Sequence, residues 1–232
     1  MTNVQAQLEK SIFAVVKISY NIPGETPITG GICGSAFLID DSTVVTANHV
    51  LNANNYAPNV GFNFVQYWLL SRDNSLIIPL SADYIESIEE LETSIINLPV
   101  NLKCTLKVSE STLNINDPVQ NYGHKGSDMP ITKARWDNNL LVIEEFNLNN
   151  CTADSIGKIA EIKNVTINAN DVKLDNIKVI QPSFKAIVGM SGGPLISNNK
   201  IVGMMSFGLP ADKEIKDVVF AITIDKIMSR LK

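Results

Sequence analysis

The stretch GMSGGPLISN, residues 189–198, sets Ser191 among three glycines, a methionine and a proline. Flanking glycines let the backbone turn sharply, so the Ser191 hydroxyl and two backbone N–H groups can point into one small space. Attack on an acyl carbon needs that arrangement: the hydroxyl supplies the nucleophile, and the N–H groups take up charge developing on oxygen. A serine hydroxyl is inert near neutral pH unless a base removes its proton, and the chain offers two histidines, His49 and His124. His49 lies in STVVTANHVL, where an apolar strand over residues 42–46 hands the side chain to a cleft. His124 lies in NYGHKGSD, which reads as an exposed, mobile turn. Because a base must be held within hydrogen-bond reach of its nucleophile, the pattern favours His49. Taken alone, each stretch also has a purely structural reading, as a strand-connecting turn or a histidine that only packs.

Such groups need a rigid scaffold. Short β-branched stretches recur between turn signals, among them SIFAVVKISY, GSAFLID, TSIINLPV, LLVIEEF, IKVIQP, KIVGMMSFG and VVFAIT. That spacing indicates an all-β sandwich or barrel system rather than alternating βα units. Only IDKIMSRLK at the end reads as a helix. A polar stretch near residues 110–117 marks a seam, giving an N-terminal unit over 1–112 and a C-terminal unit over 113–232. With 232 residues, 45% of them hydrophobic, the chain can bury one large core or two smaller ones.

The net charge of −5 is spread along the chain, with IEELE (residues 88–92) its longest acidic cluster, so no nucleic-acid footprint is expected. No apolar run approaches the ~18 residues of a membrane span, and no basic segment leads into an apolar core near the start, so neither a membrane partner nor a secretory signal is expected. Cys33, Cys104 and Cys151 are widely separated and lack the spacing of a zinc site. They read as reduced thiols in a reducing compartment, which points to the cytoplasm, and no metal or other cofactor is expected.

In order along the chain, GSAFLIDDSTVVTANHVL, LETSIINLPV, NINDPVQNYG, VGMSGGPLISNNKIVGMMSFG and VVFAITIDKI resemble the trypsin-like peptidases of the chymotrypsin fold, especially the disulfide-free branch with the HtrA/Deg proteases. The resemblance covers roughly residues 10–230, and its specificity comes from the Thr-Ala-x-His-Val and Gly-x-Ser-Gly-Gly-Pro stretches occurring together in this order. It implies two six-stranded antiparallel β-barrels, the active site between them, and a short C-terminal helix. It also implies a serine endopeptidase acting through an acyl-enzyme, with Ser191 as nucleophile, His49 as base and an oxyanion hole from the N–H groups of Gly189 and Ser191. The family's carboxylate begins the strand read here as LETSIINL, so Glu92 takes the place of the usual aspartate; Asp83 and Glu89 are the nearest substitutes. Ser206, Phe207 and Gly208 match the edge that pairs with a polypeptide substrate as an added strand. Lys185, six residues before Ser191, matches the base of the primary specificity pocket, with Phe220 and Ala221 as a wall. An inward Lys185 would select acidic residues; an outward one would leave apolar walls to select.

The chain departs from the family in two further places. Met190 stands where the zymogen branch has an aspartate that pairs with a newly cleaved N-terminus, so activation by clipping is not expected. Cys33 stands where extracellular relatives form a bridge to the residue after the histidine, here Val50, so the barrel must rely on packing. Two alternatives use the same features: a catalytically silent module that binds extended peptides at Ser206–Gly208, and an esterase. The second lacks the strand-before, helix-after nucleophile elbow, since another strand follows Ser191.

Overall fold

The computed structural model describes residues 8–22, 28–51, 59, 61–103, 106–126, 128–169, 172–209 and 218–231. Seven strands build the first sheet: β1 (Ile12–Tyr20), β2 (Ile28–Leu38), β3 (Thr43–Ala47), β4 (Phe64–Ser71), β5 (Ile77–Leu80), β6 (Ile85–Ile88) and β7 (Thr93–Asn97). Their order is β5-β4-β1-β2-β3-β7-β6, so β5 and β6 sit at opposite edges although only residues 81–84 separate them. Seven flat strands would hold those edges about 29 Å apart. The link from Leu80 to Ile85 reaches at most about 18 Å, so the sheet has to curl until its edges approach. Counted as one bent run, β5 and β6 give the six strand positions of a barrel.

The second sheet closes explicitly. It comprises β8 (Lys107–Val108), β9 (Pro118–His124), β12 (Thr152–Ala169), β13 (Val172–Pro182), β14 (Pro194–Ser197), β15 (Lys200–Leu209) and β16 (Val218–Thr223). The order β14-β9-β12-β13-β16-β15 returns to β14 through a β14–β15 pairing, an antiparallel ring of six, and the two-residue β8 joins β15 in parallel outside it. All strands up to Asn97 lie in the first sheet, and all sheet-two strands follow from Lys107. The architecture is the double β-barrel, finished by a short helix. Two helical segments bear on it: α1 (Asn48–Leu51) and the C-terminal α2 (Ile224–Met228).

Two asparagine pairs shape the tight hairpins. Asn198–Asn199, between β14 and β15, and Asn138–Asn139, between β10 (Ile131–Asp137) and β11 (Leu140–Phe146), all have positive φ, the conformation of a two-residue turn that matches strand twist. The β10–β11 hairpin stands apart from both barrels' sheets and covers the outer face of the first. On β1, Phe13 and Val15 join the main core, whereas Ala14, Val16 and Ile18 cluster with Trp68, Leu70, Leu141 and Ile143 beneath the hairpin. Both faces of β1 are therefore buried, and its apolar residues run almost without interruption.

The main core also continues into the second barrel, where Ile196, Met204 and Ile222 belong to the same cluster as Phe13 and Phe37. A second tie is polar: the Arg72 guanidinium makes a two-pronged ion pair with Asp154, at 2.7 and 2.6 Å. Val50 fills the space against Gly34, so tightly that a Cβ at residue 34 would strike it. Packing thus occupies the place between the strand of Cys33 and the residue after His49. Cys33 and Cys151 are free thiols, and Cys104 lies outside the described residues.

Candidate active site

Glu92 is the residue on which the first barrel's contribution turns. It caps a 3-10 turn, residues 89–91, in the left-handed conformation (φ 50°, ψ 38°), with its N–H bonded to the Glu89 carbonyl. Behind that turn, Val165, Ile167 and Leu174 from the long β12–β13 ribbon pack in the cluster that holds Ile88 and Leu91. The side chain is 3% exposed. Burying a carboxylate without partners would cost several kcal/mol, so its acceptors have to be filled. They are: Oε1 accepts the His49 backbone N–H at 2.9 Å and contacts Nδ1 at 2.7 Å, while Oε2 accepts the Ser206 hydroxyl at 2.5 Å. The Glu92 carbonyl accepts the Asn48 N–H at 2.8 Å, and the Asn48 side-chain oxygen accepts hydroxyls from Ser87 and Ser94.

This fixes the histidine. With Nδ1–H donating to Glu92, the lone pair lies on Nε2, on a side chain that keeps 37% of its surface exposed. Burial would depress the imidazole pKa, but the hydrogen bond and negative charge of Glu92 outweigh it and hold the pKa above 6.5. Asp83 and Glu89 are exposed on the surface.

The second barrel contributes a turn built almost wholly from backbone. Gly189 (φ 97°) and Gly192 (φ 81°) occupy conformations that side chains disfavour, and each is also crowded. A Cβ on Gly189 would strike the Gly126 nitrogen and the His124 carbonyl; one on Gly192 would strike the Ser35 carbonyl and Thr46 Oγ1. The Val188 carbonyl accepts the Gly126 N–H at 2.8 Å. Because the peptide is planar and trans, the Gly189 N–H then points the opposite way. The Ser191 carbonyl accepts the Ser35 N–H at 2.8 Å, and the Gly192 N–H donates to the Met205 carbonyl at 2.6 Å. Met205 precedes Ser206, whose hydroxyl bonds Glu92, so a short bonded path joins the Ser191 turn to the Glu92–His49 pair. Met190 is 1% exposed, and its thioether accepts the Ile187 N–H.

Next to this turn lies a cavity of about 280 Å³ whose walls include Ala186, Met190, Ser191, Met205, Phe207 and Val219. Of the residues expected there, Ser206, Phe207 and Gly208 line it, although the Ser206 hydroxyl is committed to Glu92. Lys185 is exposed and is not among the lining residues. Phe220 and Ala221 are buried and also lie outside the lining. Their neighbour Val219 takes the wall, paired with Gly208, and Phe220 packs on Phe207 with ring centroids 5.2 Å apart and planes tilted by 37°. Alternate strand residues face opposite ways, so which of Val219 and Phe220 faces the cavity depends on register, which the sequence does not mark.

His124 departs from the expected exposed turn. It ends β9, is fully buried, and has its Nδ1 3.3 Å from the Ser35 hydroxyl, while Nε2 meets no hydrogen-bond partner among the described residues. β9 is buried without a break from Asn121 to His124, so tertiary packing rather than any local apolar pattern encloses the histidine. Burial, helped by the charge of Arg72, pushes the imidazole pKa down to about 3, so His124 is neutral wherever His49 works. Ser35, Asn48 and Met205 have no mark in the sequence, since a serine inside a strand and an asparagine before a histidine carry no signal of their own.

Solved structures share this fold. HtrA-type protease AlgW, determined with a decapeptide, superimposes with a TM-score of 0.66 at 14% identity, over 98% of this chain and 65% of its own. The active form of the Rv3671c protease from M. tuberculosis gives 0.58 at 19% identity, over 99% and 82%. The MamO protease domain from Magnetospirillum magneticum gives 0.58 at 12% identity, over 98% and 99%. Among curated protein sequences none matches the chain significantly. The family model described as Trypsin matches residues 14–230, nearly the whole length, and with the double barrel around it the conclusion is plain: the chain belongs to the trypsin family and is a trypsin-like serine peptidase.

Proposed function

We propose that the protein is an endopeptidase that cuts extended polypeptides through Ser191, His49 and Glu92. The observation that carries this reading is the Glu92 carboxylate, buried and hydrogen-bonded to both the backbone N–H and Nδ1 of His49. It holds the tautomer that leaves Nε2 free to accept a proton, and it stabilises the imidazolium that results. In the reaction, Ser191 Oγ bonds the scissile carbonyl carbon as its proton passes to His49 Nε2. The carbonyl oxygen becomes an oxyanion facing the N–H groups of Gly189 and Ser191. The proton then moves to the leaving amine, the C–N bond breaks, and water hydrolyses the acyl-serine by the same steps in reverse.

The substrate runs along β15. Pairing of β14 with β15 stops at Met204, while Phe207 and Gly208 are paired with β16 on the other side. Among the described residues no strand pairs with the other side of Ser206–Gly208, which suits an added antiparallel strand. The residue before the cut enters the 280 Å³ cavity, and with Ala186, Met190, Met205 and Val219 on its walls the site selects a small or medium apolar side chain. Reaction with a fluorophosphonate probe, followed by mapping of the adduct, tests the assignment. Labelling at Ser191 that disappears in His49→Ala is expected; an unlabelled folded protein that still binds extended peptides would make it a recruiting module instead.

A further inference from the structure

We propose that Ser35 is a positioning residue for the oxyanion turn, holding from the first barrel a loop that belongs to the second. The proposal rests on the endopeptidase reading and concerns how its oxyanion hole stays formed.

Ser35 lies on β2 and is fully buried. Its backbone N–H donates to the Ser191 carbonyl at 2.8 Å, and its hydroxyl donates to the Gly189 carbonyl at 2.8 Å. One side chain and its own amide therefore grip both residues whose N–H groups would face an oxyanion. The same hydroxyl oxygen accepts the backbone N–H of His124 at 3.0 Å, and its carbonyl accepts the Thr46 hydroxyl at 2.7 Å. Since the single Ser35 proton is committed to Gly189, the 3.3 Å contact with His124 Nδ1 is a bond only if that nitrogen carries the proton. That tautomer leaves bare the His124 Nε2, which meets no hydrogen-bond partner among the described residues.

The need for such a grip follows from glycine. Gly189 has no side chain to anchor it and can reorient its two flanking peptides at little cost. The peptide before it is fixed by Gly126, through the Val188 carbonyl; the peptide after it is fixed by the Ser35 hydroxyl, through the Gly189 carbonyl. With both planes held, the Gly189 N–H has one direction, as preorganised charge stabilisation requires. The neighbouring Met190 brings no charge that could hold the turn, since its side chain is buried and its sulfur is bonded to the Ile187 N–H.

Ser35→Ala removes the hydroxyl and keeps the amide. It is expected to lower kcat about tenfold to a hundredfold with KM within twofold, and to weaken a peptide aldehyde, which forms an oxyanion, by the same factor. Affinity for an uncleaved peptide in the Ser191→Ala background should not change. Ser35→Cys, with the same shape and a weaker donor, should fall between, and it carries the test if the alanine variant folds poorly. Wild-type kcat in both variants would overturn the proposal, as would equal losses in kcat and in uncleaved-peptide affinity. Should the wild type show no hydrolysis, the endopeptidase reading fails, and the Gly189 amide resonance decides on Ser35: an unchanged shift in Ser35→Ala refutes the grip.

Discussion

The two barrels hold their parts of the cleft by different means. The first uses side chains: the Glu92 carboxylate takes donors from His49 and Ser206, and the Asn48 side chain takes two serine hydroxyls. The second uses backbone, with two glycines at positive φ and a set of carbonyls fixed by amides. Side-chain scaffolding is tuned by charge and proton. Backbone scaffolding is tuned by shape. The first barrel's half should therefore respond to pH and to isosteric changes that the second barrel's half ignores, and the second should fail on addition of a single methyl group.

The largest effects test the backbone half. Ser191→Ala should lose at least about 10⁴-fold in turnover without loss of Tm, because the turn does not need the hydroxyl. Gly192→Ala should lose activity and also several degrees of Tm, because its Cβ meets the Ser35 carbonyl in a conformation that side chains disfavour. A Gly192→Ala protein with native Tm and turnover would break the comparison.

Glu92→Gln should come next, lowering turnover about 10³- to 10⁴-fold with substrate affinity kept, since an amide can hold the wrong imidazole tautomer in place. In the wild type, turnover should rise with pH through a midpoint above 6.5, because only neutral His49 accepts the serine proton and Glu92 favours the charged form. Removing that charge should move the midpoint of the residual activity downward. A pH–rate profile unmoved by Glu92→Gln would remove Glu92 from its role.

His124 gives a smaller effect, from a pKa shifted in the opposite direction to that of His49. Its pKa is about 3 when folded and near 6.5 when unfolded, so acidification through that window protonates the unfolded chain first and stability falls as pH falls. The slope from this group is at most about 1.4 kcal/mol per pH unit. Chemical denaturation of wild type and His124→Gln across pH 6.5 to 4 should show a shallower loss in the variant. Smallest of all, Lys185→Ala should leave cleavage preference in a peptide library unchanged; a preference for acidic residues that vanishes with the lysine would overturn the apolar assignment.

The strands and the His49 and Ser191 stretches were legible because each is a local pattern: an apolar run ending in histidine, a serine among glycines. Glu92 was legible only by its place at the head of a strand, and its left-handed backbone had no sequence mark, since the residue is not glycine. The pocket was harder. Val219 rather than Phe220 lines it because of strand register, which arises from pairing with β15 rather than from either residue. His124 shows the same limit, as a polar-looking segment buried by tertiary contacts, and so does Ser35, whose two bonds to the oxyanion turn cross 154 and 156 residues of chain to Gly189 and Ser191.

The β10–β11 hairpin bears on how the molecule comes apart. It enters the sequence between two strands of the second barrel, yet it shelters Ala14, Val16, Ile18, Trp68 and Leu70 of the first. A first barrel made alone would expose that apolar face to water and invite aggregation. The two barrels are therefore expected to unfold as one cooperative unit, and during synthesis the early half should stay incompletely covered until residues 131–146 arrive.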